Sequence, residues 1–350
     1  MKKTPRFAEV TPKRFLNEIK PLGRPAILQG LVADWPAVAA GREGVGALAA
    51  YLDARRSHPT LTWFEAPPEA EGRIFYNDRF DGFNFARHEG SSEAFLRRLE
   101  ALAGEARAPA LYAGSLTMGK YFAPFRVENS LARMIPASNF LESIWVGNRT
   151  RISPHFDRPE NLACCVAGER VFTLFPPEQT ANLYMGPLDL TPAGQPISLV
   201  DPKAPDLDRY PRFVEALAAA EVAELSPGDV LYIPSLWWHG VDALSGFGVL
   251  VNYWWDETPS WFGAPELCLR HALLSLKSLP AAEKAKWRAI FDYLIFEVDG
   301  EALAHLDEEA RGVAGVLNPQ RSALLRREII NGMSPPAPDF RLADRAAASA

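Results

Sequence analysis

The sequence predicts a mainly β protein with helical segments on either side, the β part reading as a jelly roll. Between Ser143 and about Trp255 the chain breaks into short β-type runs punctuated by Pro and Gly. Before about Ser57 it reads as helix, strand, helix, and after about Pro259 an apolar stripe at helical spacing takes over. These three textures divide the chain into N-terminal helix and strand elements (residues 1–125), a β-barrel core (126–256), a helical segment (257–333) and a tail (334–350).

In the first segment Phe15, Ile19 and Leu22 share a helix face, and Pro25-Ala-Ile-Leu-Gln-Gly30 is a short apolar strand. The chain after Trp35-Pro36 turns into a second helix that carries Leu48 and Tyr51. Residues 60 to 125 mix short strands with a helix from about Ser92 to Ala103. Ser92 is its expected N-cap, and Phe95, Leu96 and Leu99 form its apolar stripe. Tyr112 lies in Ala-Leu-Tyr-Ala-Gly-Ser-Leu, a strand.

In the barrel segment the expected strands are Ile144–Val146, Asn161–Val166, Arg170–Phe175, Val230–Ile233 and Val249–Trp255. Pro176-Pro177 ends the third of these, since neither residue can donate to a ladder. Leu188 to Arg212, rich in Pro and Asp, reads as a long surface loop of the kind that controls access to a barrel mouth. Beyond it, Trp287, Ile290, Phe291, Leu294 and Ile295 recur at i, i+3, i+4, i+7 and i+8, an amphipathic helix. Pro265 and Pro280 stand at first-turn positions, and a last helix spans about Gln320 to Ile330. The tail, rich in Pro and Ala and without periodicity, is expected to be disordered.

Composition excludes several function classes. With 48% apolar and 23% charged residues the chain suits a soluble globular protein. No apolar run approaches the roughly 18 to 20 residues that span a bilayer. The basic start Met1-Lys2-Lys3 has no apolar stretch after it, so export is not expected and a cytoplasmic location is. The three cysteines show no Cys-x-x-Cys spacing, and Cys164 and Cys165 are adjacent; they read as small buried apolar residues of a reducing compartment. A net charge of −6 gives no footing for binding a phosphate backbone, so neither nucleic acid nor membrane is an expected partner.

The chemistry concentrates in His155-Phe156-Asp157 and in His239 far downstream. Along an extended strand successive side chains alternate between faces, so His155 and Asp157 share one face and Phe156 points away. Two imidazoles and one carboxylate on one side of a metal form the facial triad of non-haem Fe(II) oxygenases, which leaves positions open for co-substrate and oxygen. The rival reading is a hydrogen-bonded surface pair, with His239 a core histidine held by Trp237 and Trp238. Against it, the other four of the six histidines lie in polar or helical contexts without a partner at ligand spacing.

The wording around these residues adds to the reading. Ser153-Pro-His-Phe-Asp157, Asn161, Leu174-Phe-Pro-Pro-Glu-Gln179, Pro227-Gly-Asp-Val-Leu-Tyr-Ile-Pro234, Trp237-Trp-His239 and Val251-Asn-Tyr-Trp254 follow one another over about residues 143 to 256. Together they resemble the JmjC-type, cupin-like 2-oxoglutarate oxygenases, in the style of the asparaginyl hydroxylase that inhibits the hypoxia-inducible factor. Arg24-Pro-Ala-Ile-Leu-Gln-Gly30 resembles that family's lead-in strand.

The resemblance implies a double-stranded β-helix, with Fe(II) held by His155, Asp157 and His239 and 2-oxoglutarate chelating the iron through its 2-oxo acid end. Where the hydroxylase has a lysine for the distal carboxylate, this chain has Arg170, whose guanidinium can grip a carboxylate through two parallel hydrogen bonds. The alternative for Arg170 is a solvated strand residue paired with Glu169, with Lys120 or Lys203 as the cation. Tyr112, Asn161 and Asn252 match further positions lining the family's co-substrate pocket; each equally suits a satisfied structural polar group. The implied reaction is hydroxylation of a protein or peptide side chain, with O2 consumed and succinate and CO2 released. Other cupin chemistry, a small-molecule substrate and a non-catalytic binding or sensor role are the alternatives. The resemblance also implies pairing of two chains through the C-terminal helices.

Overall fold

The structure, a computed structural model, describes residues 1–298 and 300–333. It divides into two units, Met1–Asp256 and one that begins at Glu257. The first unit contains all the strands of the described residues. These are β1 (Lys2–Lys3), β2 (Arg6–Phe7), β3 (Ala26–Leu28), β4 (Thr60–Ala66), β5 (Arg73–Ile74), β6 (Ala86–Ser91) and β7 (Ala110–Thr117). They continue with β8 (Phe140–Gly147), β9 (Arg151–Phe156), β10 (Glu160–Ala167), β11 (Arg170–Phe175), β12 (Glu221–Leu225), β13 (Val230–Ile233), β14 (Trp238–Ala243) and β15 (Gly248–Trp255).

Two sheets result, one ordered β1-β12-β11-β14-β9-β5 and the other β2-β3-β13-β10-β15-β8-β7-β4-β6. Their centres, β12-β11-β14-β9 facing β13-β10-β15-β8, draw on strands that cross repeatedly from one sheet to the other along the chain. That exchange is the jelly roll, and it confirms the fold class read from the sequence. Each strand expected in the barrel is present, three of them longer by a residue or more at their ends. The structure adds β9, β12 and β14 as complete strands.

Period-2 alternation explains how the larger sheet is covered on both sides. On β10, Leu162, Cys164 and Val166 belong to the outer core, while Ala163 and Cys165 belong to the core between the sheets. Cys164 and Cys165 therefore lie on opposite faces of one strand, fully buried and unbridged. The outer core is closed by the N-terminal helices through Phe15, Ile19, Val38, Leu48, Leu52, Phe95 and Leu99. The inner core holds Phe172, Leu174, Ala223, Leu225, Leu231, Ile233 and Leu250. Apolar burial on both faces is why these strands read as near-continuous apolar runs.

Several local expectations are corrected. The helix Ser92–Leu102 is capped by Ser91, whose side chain accepts from the amide of Ala94, whereas the Ser92 hydroxyl donates to the carbonyl of His58 at 2.8 Å. Two serines in a row made the cap ambiguous from sequence. The single helix expected after Pro36 is two, Pro36–Glu43 and Val45–Asp53, parted at Gly44, whose φ of 128° no helix accommodates. Residues 188–212 are not wholly surface. Ile197 bridges His155, and Ile197, Ser198 and Val200 are buried.

The second unit consists mainly of the helices Pro265–Leu276, Ala281–Leu294 and Pro319–Met333. Pro265 opens its helix, while Pro280 stands one residue before its own. Trp287, Ile290, Leu294 and Ile295 are 44%, 46%, 38% and 65% exposed, so among the described residues much of the apolar stripe faces outward. The tail expected to be disordered, 334–350, lies outside the described residues.

Candidate metal centre

The centre is assembled by one strand pairing. In the antiparallel ladder of β14 with β9, Trp238 stands opposite Phe156 and His239 opposite His155. Directly opposed residues share a face. Outside the barrel, the Trp238 and Phe156 rings meet edge to face at 4.9 Å within a cluster that includes Phe175 and Phe213. Inside, the two imidazoles come to 4.4 Å between ring centres. Since a slip of one residue would reverse both faces, burying the two aromatic rings outside fixes the two histidines inside.

The ring nitrogens are already sorted. Nδ1 of His155 lies 3.0 Å from the carbonyl oxygen of Ser153, and Nδ1 of His239 lies 3.0 Å from that of Trp237. A carbonyl only accepts, so each Nδ1 carries the proton and each Nε2 presents its lone pair. Asp157 completes the group: its Oδ2 lies 3.7 Å from Nε2 of His239, and its Oδ1 accepts from Nε2 of Gln195 at 2.8 Å. One ligand atom from each of the three residues falls within 4.8 Å of the others. No other such group of three occurs among the described residues. Burial, reinforced by neighbouring His155 and opposed by Asp157, pushes the His239 pKa down to about 4, so its ring is neutral and able to bind a metal near neutral pH.

The triad opens into a cavity of about 1130 Å³ between the sheets, and Tyr112, Asn161, Arg170 and Asn252 line the same cavity. Alternation again places them. Arg170 follows the inward set Phe172 and Leu174 on β11, and Asn252 lies between Leu250 and Trp254 on β15. His239 pairs with Leu174, so Arg170 stands four residues along the same strand from the metal end. Asn252 donates to Oδ1 of Asn161 at 2.7 Å, a bond between two buried side chains on neighbouring strands.

Arg170 is 6% exposed, while Glu169 beside it is exposed, so the solvated ion pair considered from the sequence is not formed. Its Nη1 has no hydrogen-bond partner among the described residues, and Gly248 gives it room: a Cβ there would lie 3.1 Å from that nitrogen. Burial lowers the guanidinium pKa and raises that of the Tyr112 phenol, so the phenol stays a donor. A buried, unmatched cation beside a protonated phenol is what the carboxylate end of a 2-oxo diacid requires. The donor set therefore fits both a divalent metal and an acidic co-substrate. Lys120 and Lys203 do not line the cavity; Lys120 reaches the hydroxyl of Tyr121 and Lys203 pairs with Asp242.

Gln195, Ser153 and Trp145 also line the cavity, although none of them stands out from the sequence as a site residue. Trp145 was legible in principle, since it alternates with Ile144 and Val146. Gln195 was not, because it lies in a loop without periodicity.

Comparison with known proteins adds the family. The model of the cupin-like domain matches residues 12–260. The chain belongs to the cupin-like domain family. Its similar proteins include ones named as a lysyl hydroxylase and as lysine-specific demethylases. It is 39% identical over 106 residues to tRNA wybutosine-synthesizing protein 5 of Danio rerio, which is 30% of this chain and 29% of that protein. It is 34% identical over 145 residues to the bifunctional peptidase and (3S)-lysyl hydroxylase JMJD7 of Homo sapiens, 36% of this chain and 44% of the relative. It is 33% identical over 127 residues to the lysine-specific demethylase JMJ31 of Arabidopsis thaliana, 36% of this chain and 22% of the relative. The cupin-like chain thus spans less than half the length of each of these relatives. Among its described residues no helix is long and apolar enough to cross a membrane.

Proposed function

We propose that this chain is an Fe(II)- and 2-oxoglutarate-dependent hydroxylase acting on a protein or peptide side chain, consuming O2 and releasing succinate and CO2. The observation that carries this reading is one cavity lined by the His155, Asp157 and His239 group and by buried Arg170, whose Nη1 has no hydrogen-bond partner among the described residues. His155, Asp157 and His239 would hold the metal. Iron supplies the redox chemistry for activating oxygen, which no side chain of this site provides.

The protein's own residues do the rest. The carbonyls of Ser153 and Trp237 keep each imidazole in the tautomer that presents Nε2. Arg170 and Tyr112 bind the distal carboxylate of the co-substrate and set its direction along the barrel. Asn161 and Asn252 hold each other and line the wall near its chelating end. Trp145 and Trp254 meet edge to face at 5.8 Å and exclude water from that wall.

A protein substrate is supported by the names of the lysyl hydroxylase and the lysine-specific demethylase among the relatives. The tRNA named in the Danio rerio relative would need a phosphate-binding surface, and a chain of net charge −6 argues against one. The exposed stripe on Ala281–Leu294 supports pairing of two chains through that helix. A cytoplasmic location fits the cysteine usage.

Anaerobic titration with Fe(II) and 2-oxoglutarate tests the site directly through the weak visible charge-transfer band of the chelate. The expected band needs Asp157 and weakens in Arg170→Ala. Bound metal with no band would move the chain to other cupin chemistry or to a binding role. Succinate release across a peptide array then tests the substrate class.

A further inference from the structure

The loop from Tyr184 to Val200 is fixed to the barrel at its base and again at the metal centre. At the base, Gly186 donates to the carbonyl of Ile197 and Leu199 to that of Tyr184, at 2.8 and 3.0 Å. Ser198 donates through its amide to the carbonyl of Pro154 at 2.7 Å, and its hydroxyl donates to that of Leu183 at 2.6 Å. Nearer the tip, the Tyr76 hydroxyl donates to the carbonyl of Leu190 at 2.8 Å. Between these anchors, the Gln195 amide nitrogen donates to Oδ1 of Asp157 at 2.8 Å.

That bond divides the carboxylate into two unlike oxygens. Oδ1 is engaged by the amide, while Oδ2 lies 3.7 Å from Nε2 of His239. A free carboxylate can swing to place both oxygens on a metal and so take a further coordination position. One whose Oδ1 already accepts a well-formed hydrogen bond loses that bond if it does so.

We infer that Gln195 is a positioning residue that keeps Asp157 a one-oxygen ligand, and that it thereby preserves an open coordination position and couples the loop to metal occupancy. This rests on the metal-centre reading above. It concerns how the carboxylate binds rather than which residues bind.

The test is Co(II) titration of the full-length metal-free protein, followed by isothermal calorimetry and by visible absorption of the bound ion, whose intensity depends on coordination number. Wild type is compared with Gln195→Met, similar in size but without the donor, and with Gln195→Ala. The expected result is a changed visible band at saturation in both variants, as the second Asp157 oxygen takes a position on the ion, with a Co(II) affinity altered about 10- to 100-fold. Thermal unfolding of the metal-free proteins separates this from a structural fault; if Gln195→Met does not fold, Gln195→Ala decides. Variants that bind as tightly as wild type and give the same band would overturn the inference alone. A wild type that takes up no Co(II) would overturn the metal-centre reading and the inference with it.

Discussion

His155 and His239 are direct neighbours across one antiparallel ladder, their rings 4.4 Å apart, and the pair Phe156 and Trp238 behind them sets that register. The site thus depends on packing outside the barrel as much as on its ligands. Trp238 is 1% exposed, and its indole nitrogen donates to Oγ1 of Thr180 at 3.0 Å.

Trp238→Ala should therefore destabilise the chain by about 3 to 5 kcal/mol, the range for truncating a buried large aromatic residue. It should also weaken metal binding, although Trp238 points away from the face that carries His155 and His239. Urea unfolding and Co(II) titration of the same preparation check both effects. Unchanged metal affinity in a destabilised variant would show that the ladder holds its register without the tryptophan.

Arg170 separates stability from function. Its guanidinium is buried with an unpartnered nitrogen, so Arg170→Met should remove a desolvation penalty and leave metal-free stability equal or higher by about 1 to 3 kcal/mol. The same variant should lose binding of 2-oxoglutarate at least about tenfold, since a paired charge contributes more than 1.4 kcal/mol. Arg170→Lys should recover part of it. Thermal melts with and without 2-oxoglutarate would reveal both signs, and a strongly destabilised Met variant would mean that Arg170 is structural.

The pH response follows from His239. Its pKa is about 4 in the folded chain, because burial disfavours the charged ring, whereas an unfolded imidazole titrates near 6.5. Between those values the unfolded state binds more protons, so this residue makes metal-free stability rise as pH rises from about 4 to about 6.5. Above that window its contribution is flat. Melting temperatures across the window should climb more steeply in wild type than in His239→Asn; equal slopes would assign the effect to other groups.

The exposed stripe on Ala281–Leu294 predicts self-association. Sedimentation velocity should give a dimer mass for the full chain and a monomer for a truncation ending near Pro259. A monomer mass for the full chain would contradict it.

What the sequence determined by itself was whatever alternation and local chemistry encode. Short runs punctuated by Pro and Gly gave the jelly roll. His155-x-Asp157 put two donors on one strand face. Only the tertiary structure decided which partners those faces meet. It set His239 opposite His155, buried Arg170 against Gly248 rather than pairing it with Glu169, and brought Gln195 onto Asp157. Alternation is a property of a single strand, whereas register and loop placement come from long-range packing that no local pattern contains.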